Sequence, residues 1–191
     1  MKEGKLILGY KEVEAQLASY GRPEFIRYSV ANAFDNFKKI MEQLKPKPKR
    51  VLEIGTHFGI SSAIFASFCD YVYTIDIENL PGQTDIVWGL FNVRHKIKYI
   101  VRKNRDEIKK VIPLLDFDFV FIDGEHDYEN VRADYEMVKD CKSILFHDIQ
   151  VAGVRKFIEE IGAQKLAELA YLGEYKFKGT FTWNDFKDVY K

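Results

Sequence analysis

The sequence predicts an α/β fold with a doubly wound, mostly parallel sheet of about seven strands and helices on both faces. Segments rich in β-branched and aromatic residues alternate with segments whose apolar residues recur at helical spacing. This alternation favours a parallel sheet, because the helices that connect parallel strands cover both of its faces. We expect strands at residues 50–54, 71–76, 97–101, 117–123 and 143–147, and an antiparallel strand at 175–183 that closes the sheet.

A helix is predicted before the first strand. Its apolar residues recur at helical spacing at Val30, Ala33, Phe34, Phe37, Met41 and Leu44. The pattern ends at residues 45–50, a basic, proline-containing segment that reads as a linker, since short basic runs are mostly solvated connections. The chain thus divides into a helical N-terminal extension, residues 1–48, which is part of the same domain and a candidate lid, and a main domain, residues 49–191.

The composition is that of a globular domain with a substantial core. Of the 191 residues 47% are hydrophobic, and 29 basic residues balance 29 acidic ones. A chain without net charge has no long-range field to attract nucleic acid or an anionic membrane, and no apolar stretch approaches the ~18 residues of a membrane span. Cys69 and Cys141 lack metal-ligand spacing, which favours reduced thiols. We expect a cytoplasmic protein whose partner is a small molecule, while homo-oligomer formation stays open.

A glycine turn, residues 55–59, follows the first strand. Gly55 and Gly59 lack Cβ atoms, so the chain can adopt positive φ there and a nucleoside can lie against the backbone at the start of the next helix. The spacing is Gly-x-x-x-Gly, and His57 occupies the position where the dinucleotide pattern has a second glycine for the pyrophosphate. The turn therefore predicts a nucleoside site and argues against NAD.

An acidic residue ends the second strand. Asp76 lies about twenty residues after the turn, where Rossmann-type folds place the carboxylate that binds ribose hydroxyls. The alternative is a solvated loop acid with no ligand. Together with the turn, the position favours ribose binding by Asp76.

Ionisable side chains follow two further strands. Asp123 begins a segment that continues through His126, and the pair His147 and Asp148 ends the next strand. The carboxyl ends of parallel strands meet at one edge of the sheet, so Asp123, His147 and Asp148 should converge. Like charges at that distance favour a divalent metal, with oxygen ligands typical of Mg²⁺ and an imidazole shifting the expectation toward Mn²⁺ or another transition metal. The alternative is that His147 and Asp148 cap the following helix, while Asp123 orders the loop.

Three motifs resemble a known family. They are Leu52-Glu53-Ile54-Gly55, the run Phe-Ile-Asp-Gly-Glu-His-Asp-Tyr at residues 121–128, and Phe146-His147-Asp148-Ile149 followed by Gly153-Val154. From about residue 49 onward the chain resembles class I S-adenosylmethionine (SAM)-dependent methyltransferases. Within that class it is most similar to the group of macrolide-sugar O-methyltransferases and cephalosporin-hydroxylase-like proteins.

The resemblance implies roles for particular residues. SAM would be bound by Glu53, Gly55, Thr56, Gly59, Asp76 and Asp123, with Asn104 after the third strand contacting adenine. Asp123, His147 and Asp148 match the metal ligands, for Mg²⁺ or Mn²⁺, although the family more often has an acid at the position of His147. Asp123 and His126 match the catalytic pair, in which His126 is the proposed general base.

The function implied is methyl transfer from SAM to a small-molecule acceptor, at a hydroxyl oxygen and with a metal assisting. His126 would take the proton of that hydroxyl, since an imidazole is neutral near physiological pH. An NAD-dependent oxidoreductase and a non-catalytic nucleoside-binding module share the fold and stay open as alternatives.

Overall fold

A seven-stranded sheet organises the chain. The computed structural model describes residues 10–21, 41, 44, 46–149, 151–162, 164–169 and 173–178. The strands are β1 (Arg50–Ile54), β2 (Tyr71–Asp76), β3 (Ile97–Val101), β4 (Phe119–Ile122), β5 (Ile144–Phe146), β6 (Gln164–Leu169) and β7 (Gly173–Lys178), in the spatial order β3-β2-β1-β4-β5-β7-β6. β1 to β5 pair in parallel, and β7 pairs antiparallel with both β5 and β6. The predicted, mostly parallel sheet is confirmed.

The predicted strands differ from the observed ones mainly at their ends. β1, β2 and β3 have the predicted bounds, whereas β4 and β5 are shorter than the segments 117–123 and 143–147. Residues just outside β4 and β5, such as Asp123 and His147, still donate backbone hydrogen bonds to the neighbouring strands before the chain enters the loops. β7 is the predicted antiparallel strand but begins at Gly173, and residues 179–183 lie outside the described residues. β6 was missed.

Six helices flank the sheet in the described part of the chain. They are α1 (Tyr10–Ser19), α2 (Ile60–Phe68), α3 (Pro81–Leu90), α4 (Arg105–Val111), α5 (Tyr128–Glu136) and α6 (Ala152–Glu160). α1 lies within the predicted helical extension, although the sequence pattern predicted no helix at these residues. Most of the predicted helix before β1 lies outside the described residues, where only Met41 and Leu44 are placed, both buried. The division at residue 48 therefore stays a prediction.

The two faces of the sheet carry separate hydrophobic cores. Alternate residues of one strand belong to different cores: Val51 packs with Phe65 of α2 and Trp88 of α3, whereas Leu52 packs with residues of α5 and α6. A strand buried on both faces needs a continuous apolar run, and all four residues of β4 are buried. The doubly wound prediction is thereby confirmed.

The strand order fixes where a ligand can bind. β1 lies between β2 and β4: the chain runs outward from β1 to β2 and β3 on one side, then crosses to β4 and β5 on the other. Ile54 at the end of β1 is level with Ile75 of β2 and Ile122 of β4. Helices that diverge from such a point leave a crevice beyond the carboxyl ends of the strands, and ligands of open α/β sheets bind there.

None of the helices in the described ranges is long and apolar enough to cross a membrane.

Candidate functional site

A cavity of about 570 Å³ lies at this crevice. Its wall includes the glycine turn, Asp76 at the end of β2, and the residues that follow β4 and β5. Of the seven cofactor residues predicted from the sequence, five line the cavity, namely Gly55, Thr56, Gly59, Asp76 and Asp123, whereas Glu53 and Asn104 do not.

Gly55 is required by the fold itself. Its φ is 99°, and a Cβ added there would lie 2.1 Å from the backbone oxygen of Asp123. The chain therefore passes too close to the residue after β4 for any side chain to fit. The sequence attributed this glycine to ligand approach alone, but the contact with Asp123 shows that a substitution would also disturb folding.

Gly59, at the other end of the glycine turn, is held by an indole. Its φ is 79°, and a Cβ would lie 2.6 Å from Nε1 of Trp88. That nitrogen donates a hydrogen bond of 2.9 Å to the Gly59 carbonyl. Trp88 is fully buried on α3, so the core on this face fixes the position at which α2 begins.

Asp76 fixes the middle of the glycine turn. Its Oδ2 accepts hydrogen bonds from the backbone N–H groups of Thr56, at 2.8 Å, and His57, at 2.9 Å. Its Oδ1 accepts one from the N–H of Glu78. A carboxylate offers about four acceptor sites, so Oδ1 can still accept from a ligand hydroxyl at the cavity wall.

Glu53 has a place different from the predicted one. It is fully buried behind the glycine turn, and its carboxyl accepts hydrogen bonds from the hydroxyls of Ser61, Ser62 and Thr74. The Thr56 hydroxyl meets that of Thr74 at 2.6 Å, which links the turn to the network. Burial raises the pKa of Glu53 to about 7 against the effect of these bonds. Glu53 thus supports the turn and does not contact the cavity.

Asn104 also has another role. Its side chain caps α4 by accepting from the N–H of Glu107 at 3.1 Å, and the residue is exposed. Its neighbour Arg105 lines the cavity instead. Asn104 is therefore not among the residues that line the cavity, because the side chain of this N-cap residue turns back onto its own helix.

A buried ion pair was missed by sequence reasoning. Arg105 Nε donates to Asp134 Oδ1 at 2.8 Å, and Nη2 to Oδ2 at 3.3 Å. Its Nη1 also binds Asn130 and lies 3.3 Å from Glu125. Asp134 is only 1% exposed, and it interrupts an apolar helix face. In the sequence, an acidic residue between Val131 and Tyr135 on this face could have indicated a buried aspartate with a basic partner.

Two more residues that line the cavity were not predicted, because little in the sequence distinguishes them. Ile77 is 50% exposed and Glu78 is exposed beside it, directly after Asp76. An exposed isoleucine at a cavity mouth offers an apolar surface for a flat ring, but one such residue after a strand does not stand out in a sequence.

The ends of β4 and β5 bring together the acid–imidazole cluster, which consists of Asp123, His126, His147 and Asp148. One ligand atom from each of the four lies within 4.8 Å of the others. His147 Nδ1 is 2.9 Å from Asp123 Oδ1 and 3.0 Å from Asp148 Oδ2. His126 Nε2 is 3.4 Å and 3.2 Å from the same two oxygens. The predicted convergence of Asp123, His147 and Asp148 is thus present, with His126 equally close.

The charges of the cluster are strongly coupled. Burial lowers the pKa of His147, but the charges of Asp123 and Asp148 and their hydrogen bonds outweigh it and raise this pKa to about 10. Burial alone would raise the pKa of Asp123, yet the charge of His147 and the bonds from both imidazoles lower it. The hydrogen bond to Asp123 raises the pKa of His126. The two carboxylates therefore stabilise positive charge between them.

The backbone around the cluster is tightly constrained. His147 donates its N–H to the Ile122 carbonyl, and Asp148 has a φ of 51°, a region that aspartate tolerates better than most residues. A Cβ on Gly153 would lie 2.5 Å from the backbone oxygen of His126. The start of α6 thus packs closely against the loop that carries His126.

The capping alternative for this loop is not observed. Val151 precedes α6 as its N-cap, without a side-chain hydrogen bond, so neither His147 nor Asp148 caps the helix. Asp127, in contrast, accepts from the N–H of Asn130 and caps α5. The side chains of His147 and Asp148 instead face Asp123 and the cavity. Two carboxylates and two imidazoles form a donor set that suits a divalent ion.

A family profile described as a methyltransferase domain matches residues 52–149, just over half of the chain. An uncharacterized protein of Sinorhizobium fredii, y4gI, is 27% identical over 143 residues, which is 61% of this chain. The chain spans only 15% of that curated relative's length.

Solved structures show the same fold. The O-methyltransferase TomG from Streptomyces achromogenes, in complex with SAM, has a TM-score of 0.63 at 17% identity and covers 90% of both chains. An O-methyltransferase from Bacillus cereus, in complex with SAH, has a TM-score of 0.64 at 20% identity, over 90% of this chain and 91% of that one. The resemblance predicted from the sequence is confirmed, and the chain belongs to the methyltransferase domain family.

Proposed function

We propose that the chain transfers a methyl group from SAM to a hydroxyl oxygen of a small molecule. One observation carries this proposal: the glycine turn with Asp76 and the acid–imidazole cluster open into the same cavity. A nucleoside site and a charged site side by side in one cavity are what a methyl donor and a hydroxyl acceptor need in order to meet.

The cofactor would lie along the glycine turn. Asp76 has acceptor capacity left on Oδ1 for a ribose hydroxyl, and the exposed Ile77 offers its apolar face to adenine. Arg105, held by Asp134, lies on the same wall and replaces Asn104 as our candidate for a polar adenine contact. Thr56 and Gly59 would border the remainder of the cofactor, where the start of α2 presents free N–H groups.

The acceptor would lie on the wall formed by the cluster. Asp123, His147 and Asp148 would hold a divalent ion, Mg²⁺ or Mn²⁺ by the sequence prediction. When bound, the ion supplies positive charge that lowers the pKa of an acceptor hydroxyl. The reaction breaks the bond between sulfur and methyl, forms the bond between oxygen and methyl, and releases the hydroxyl proton.

His126 is the candidate for receiving that proton. Its side chain is 38% exposed, against 10% for His147, so it is the imidazole that an acceptor entering the cavity can reach. Asp123 Oδ1 faces His126 Nε2 at 3.4 Å and orients the ring.

A cytoplasmic location also stays a prediction from the sequence.

The first test is ligand choice. Calorimetry with SAH and with NAD⁺ should show binding of SAH and much weaker or absent binding of NAD⁺. Tighter binding of NAD⁺ would reject the methyltransferase proposal in favour of an oxidoreductase.

The second test is transfer itself. The protein should move labelled methyl from SAM to members of a panel of hydroxylated sugars and phenols. SAH binding without transfer to any of them, with and without Mg²⁺ or Mn²⁺, would support the non-catalytic nucleoside-binding module.

A further inference from the structure

The acid–imidazole cluster offers nitrogen and oxygen donors in equal number. Each imidazole nitrogen, Nε2 of His126 and Nδ1 of His147, lies 2.9–3.4 Å from both Asp123 Oδ1 and Asp148 Oδ2. No other described residues group at least three potential ligands in this way. These two nitrogens and two oxygens are thus arranged like four ligand atoms around one ion.

The size of that arrangement can be compared with a coordination polyhedron. Bonds of about 2.0–2.1 Å to nitrogen and oxygen, as in zinc sites, place neighbouring ligand atoms of a tetrahedron ~3.3 Å apart. The measured nitrogen–oxygen separations, 2.9, 3.0, 3.2 and 3.4 Å, lie close to that edge length. Four of the six edges therefore match the spacing that an ion of this class requires, and all six are within 4.8 Å.

The other ionisable residues of the loop have different partners. Glu125 pairs with Arg105, and Asp127 caps α5 through the N–H of Asn130. His126 directs Nε2 at the two carboxylates that also face His147. It is therefore the residue of this loop that adds a fourth donor to Asp123, His147 and Asp148.

We infer that, before an acceptor binds, His126 is a fourth ligand of the ion and that the cluster selects a transition-metal ion over Mg²⁺. Mg²⁺ requires nearly octahedral oxygen ligands and retains its water, whereas imidazole suits Mn²⁺, Co²⁺, Ni²⁺ and Zn²⁺. Two nitrogens among four donors therefore disfavour Mg²⁺. The inference deepens the proposed function, because it assigns the ion of the same site.

The test is ion binding to the full chain without SAM or acceptor. Calorimetry should show affinities that rise from Mn²⁺ to Co²⁺ to Ni²⁺, with Mg²⁺ at least about 100-fold weaker than Co²⁺, in the order typical of nitrogen-containing sites. Bound Co²⁺ should give the strong visible absorption of a four-coordinate ion. Equal affinity for Mg²⁺ and Co²⁺ would overturn the selectivity, and no binding of any ion would overturn the site.

Substitution of His126 tests its place as a ligand. His126→Ala should weaken Co²⁺ binding by more than the ~10–100-fold that loss of an outer-sphere partner costs, and should change the visible spectrum. His95→Ala, at an exposed position remote from the cluster, is the matched control and should change neither. An unchanged Co²⁺ affinity and spectrum in His126→Ala would show that His126 is not a ligand.

A second variant keeps the site filled but changes the donor. His126→Glu has a similar reach and should retain ion binding while the preference for Co²⁺ over Mg²⁺ falls, with thermal unfolding confirming that the variant is folded. An undiminished preference would contradict the role of the nitrogen. These results are independent of SAH calorimetry, so the inference can fail while the methyltransferase proposal stands, and the reverse.

Discussion

The two walls of the cavity are held in different ways. In the glycine turn, Asp76 accepts hydrogen bonds from two backbone N–H groups, and Glu53 accepts from buried hydroxyls behind the turn. In the acid–imidazole cluster, four ionisable side chains at the cavity wall face one another. The first wall is stabilised by the fold, whereas the second is stabilised by opposite charges.

This difference predicts how each wall responds to change. Damage to the glycine turn should appear in folding and in cofactor affinity together, because the same hydrogen bonds serve both. Damage to the cluster should appear in ion binding and methyl transfer and should spare the cofactor. Gly55 connects the two walls, since its backbone lies against Asp123.

The largest effect is expected for Gly55→Val. A Cβ would lie 2.1 Å from the Asp123 oxygen, at a backbone φ of 99° that a β-branched residue does not adopt. Chemical denaturation should show a loss of more than ~4 kcal/mol in the free energy of unfolding, or no folded protein. Gly82→Ala is the matched control, because nothing lies within 4 Å of its added Cβ, and it should be neutral or stabilising. A stable Gly55→Val that binds no SAH would instead assign the glycine to the ligand.

The next effect is expected for Asp123→Asn and Asp148→Asn. Each removes a charge that attracts the divalent ion, so ion binding should be lost and methyl transfer should fall by roughly 10²–10⁴-fold. SAH affinity should stay close to that of the unchanged protein. Ion calorimetry and single-turnover assays measure the two quantities. Full transfer activity in excess chelator would remove the ion from the mechanism.

Glu53 should give the glycine-turn wall a pH-dependent stability. Its pKa is about 7 in the folded protein and about 4.5 when unfolded, so between these values the folded state holds the extra proton. The free energy of unfolding therefore falls as pH rises from about 4.5 to about 7, by at most roughly 3 kcal/mol from this group. Denaturation curves across this range should lose that component in Glu53→Gln. An identical pH profile in the variant would place the pKa of Glu53 in its ordinary range.

Asp76→Ala should weaken SAH binding by roughly 1–3 kcal/mol, through loss of the ribose contact and of the bonds that fix the turn. Asp76→Asn separates the two contributions, since its amide oxygen can still accept from Thr56 and His57. Calorimetry of both variants should place Asp76→Asn between Asp76→Ala and the unchanged protein. Undiminished affinity in Asp76→Ala would remove this residue from the cofactor site.

The smallest effect is expected for Asn104→Ala. Loss of the helix cap should cost about 1 kcal/mol in the free energy of unfolding and leave SAH affinity unchanged. Arg105→Ala on the cavity wall should, in contrast, weaken SAH binding. If Asn104→Ala weakened SAH binding more than Arg105→Ala did, the original sequence assignment would be restored.

Much of the fold could be predicted because its pattern is redundant. β1, β2 and β3 each combine β-branched residues with clear turn signals, and each buries at least one face. β6 carries polar and charged residues in QKLAEL, and such a strand at the sheet edge has little pattern. The convergence at the cluster was predictable because parallel strand ends must meet.

The two predicted cofactor residues that do not line the cavity have a common physical explanation. Glu53 and Asn104 occupy the expected positions in the chain, but their side chains point away from the cavity, toward buried hydroxyls and toward a helix N-terminus. Direction depends on partners elsewhere in the chain, as with Arg105 and Asp134, which are 29 residues apart. A motif gives the position of a residue, and the packing of other elements decides what it contacts.

One crystal structure, grown with SAH and Co²⁺, tests the central claim that cofactor and ion occupy neighbouring parts of one cavity. The account predicts SAH along residues 55–59 with its ribose at Asp76. It also predicts an anomalous peak between the Asp123 and Asp148 carboxylates, within bonding distance of both imidazoles. SAH bound elsewhere, or a cluster with no anomalous peak at saturating Co²⁺, would contradict it.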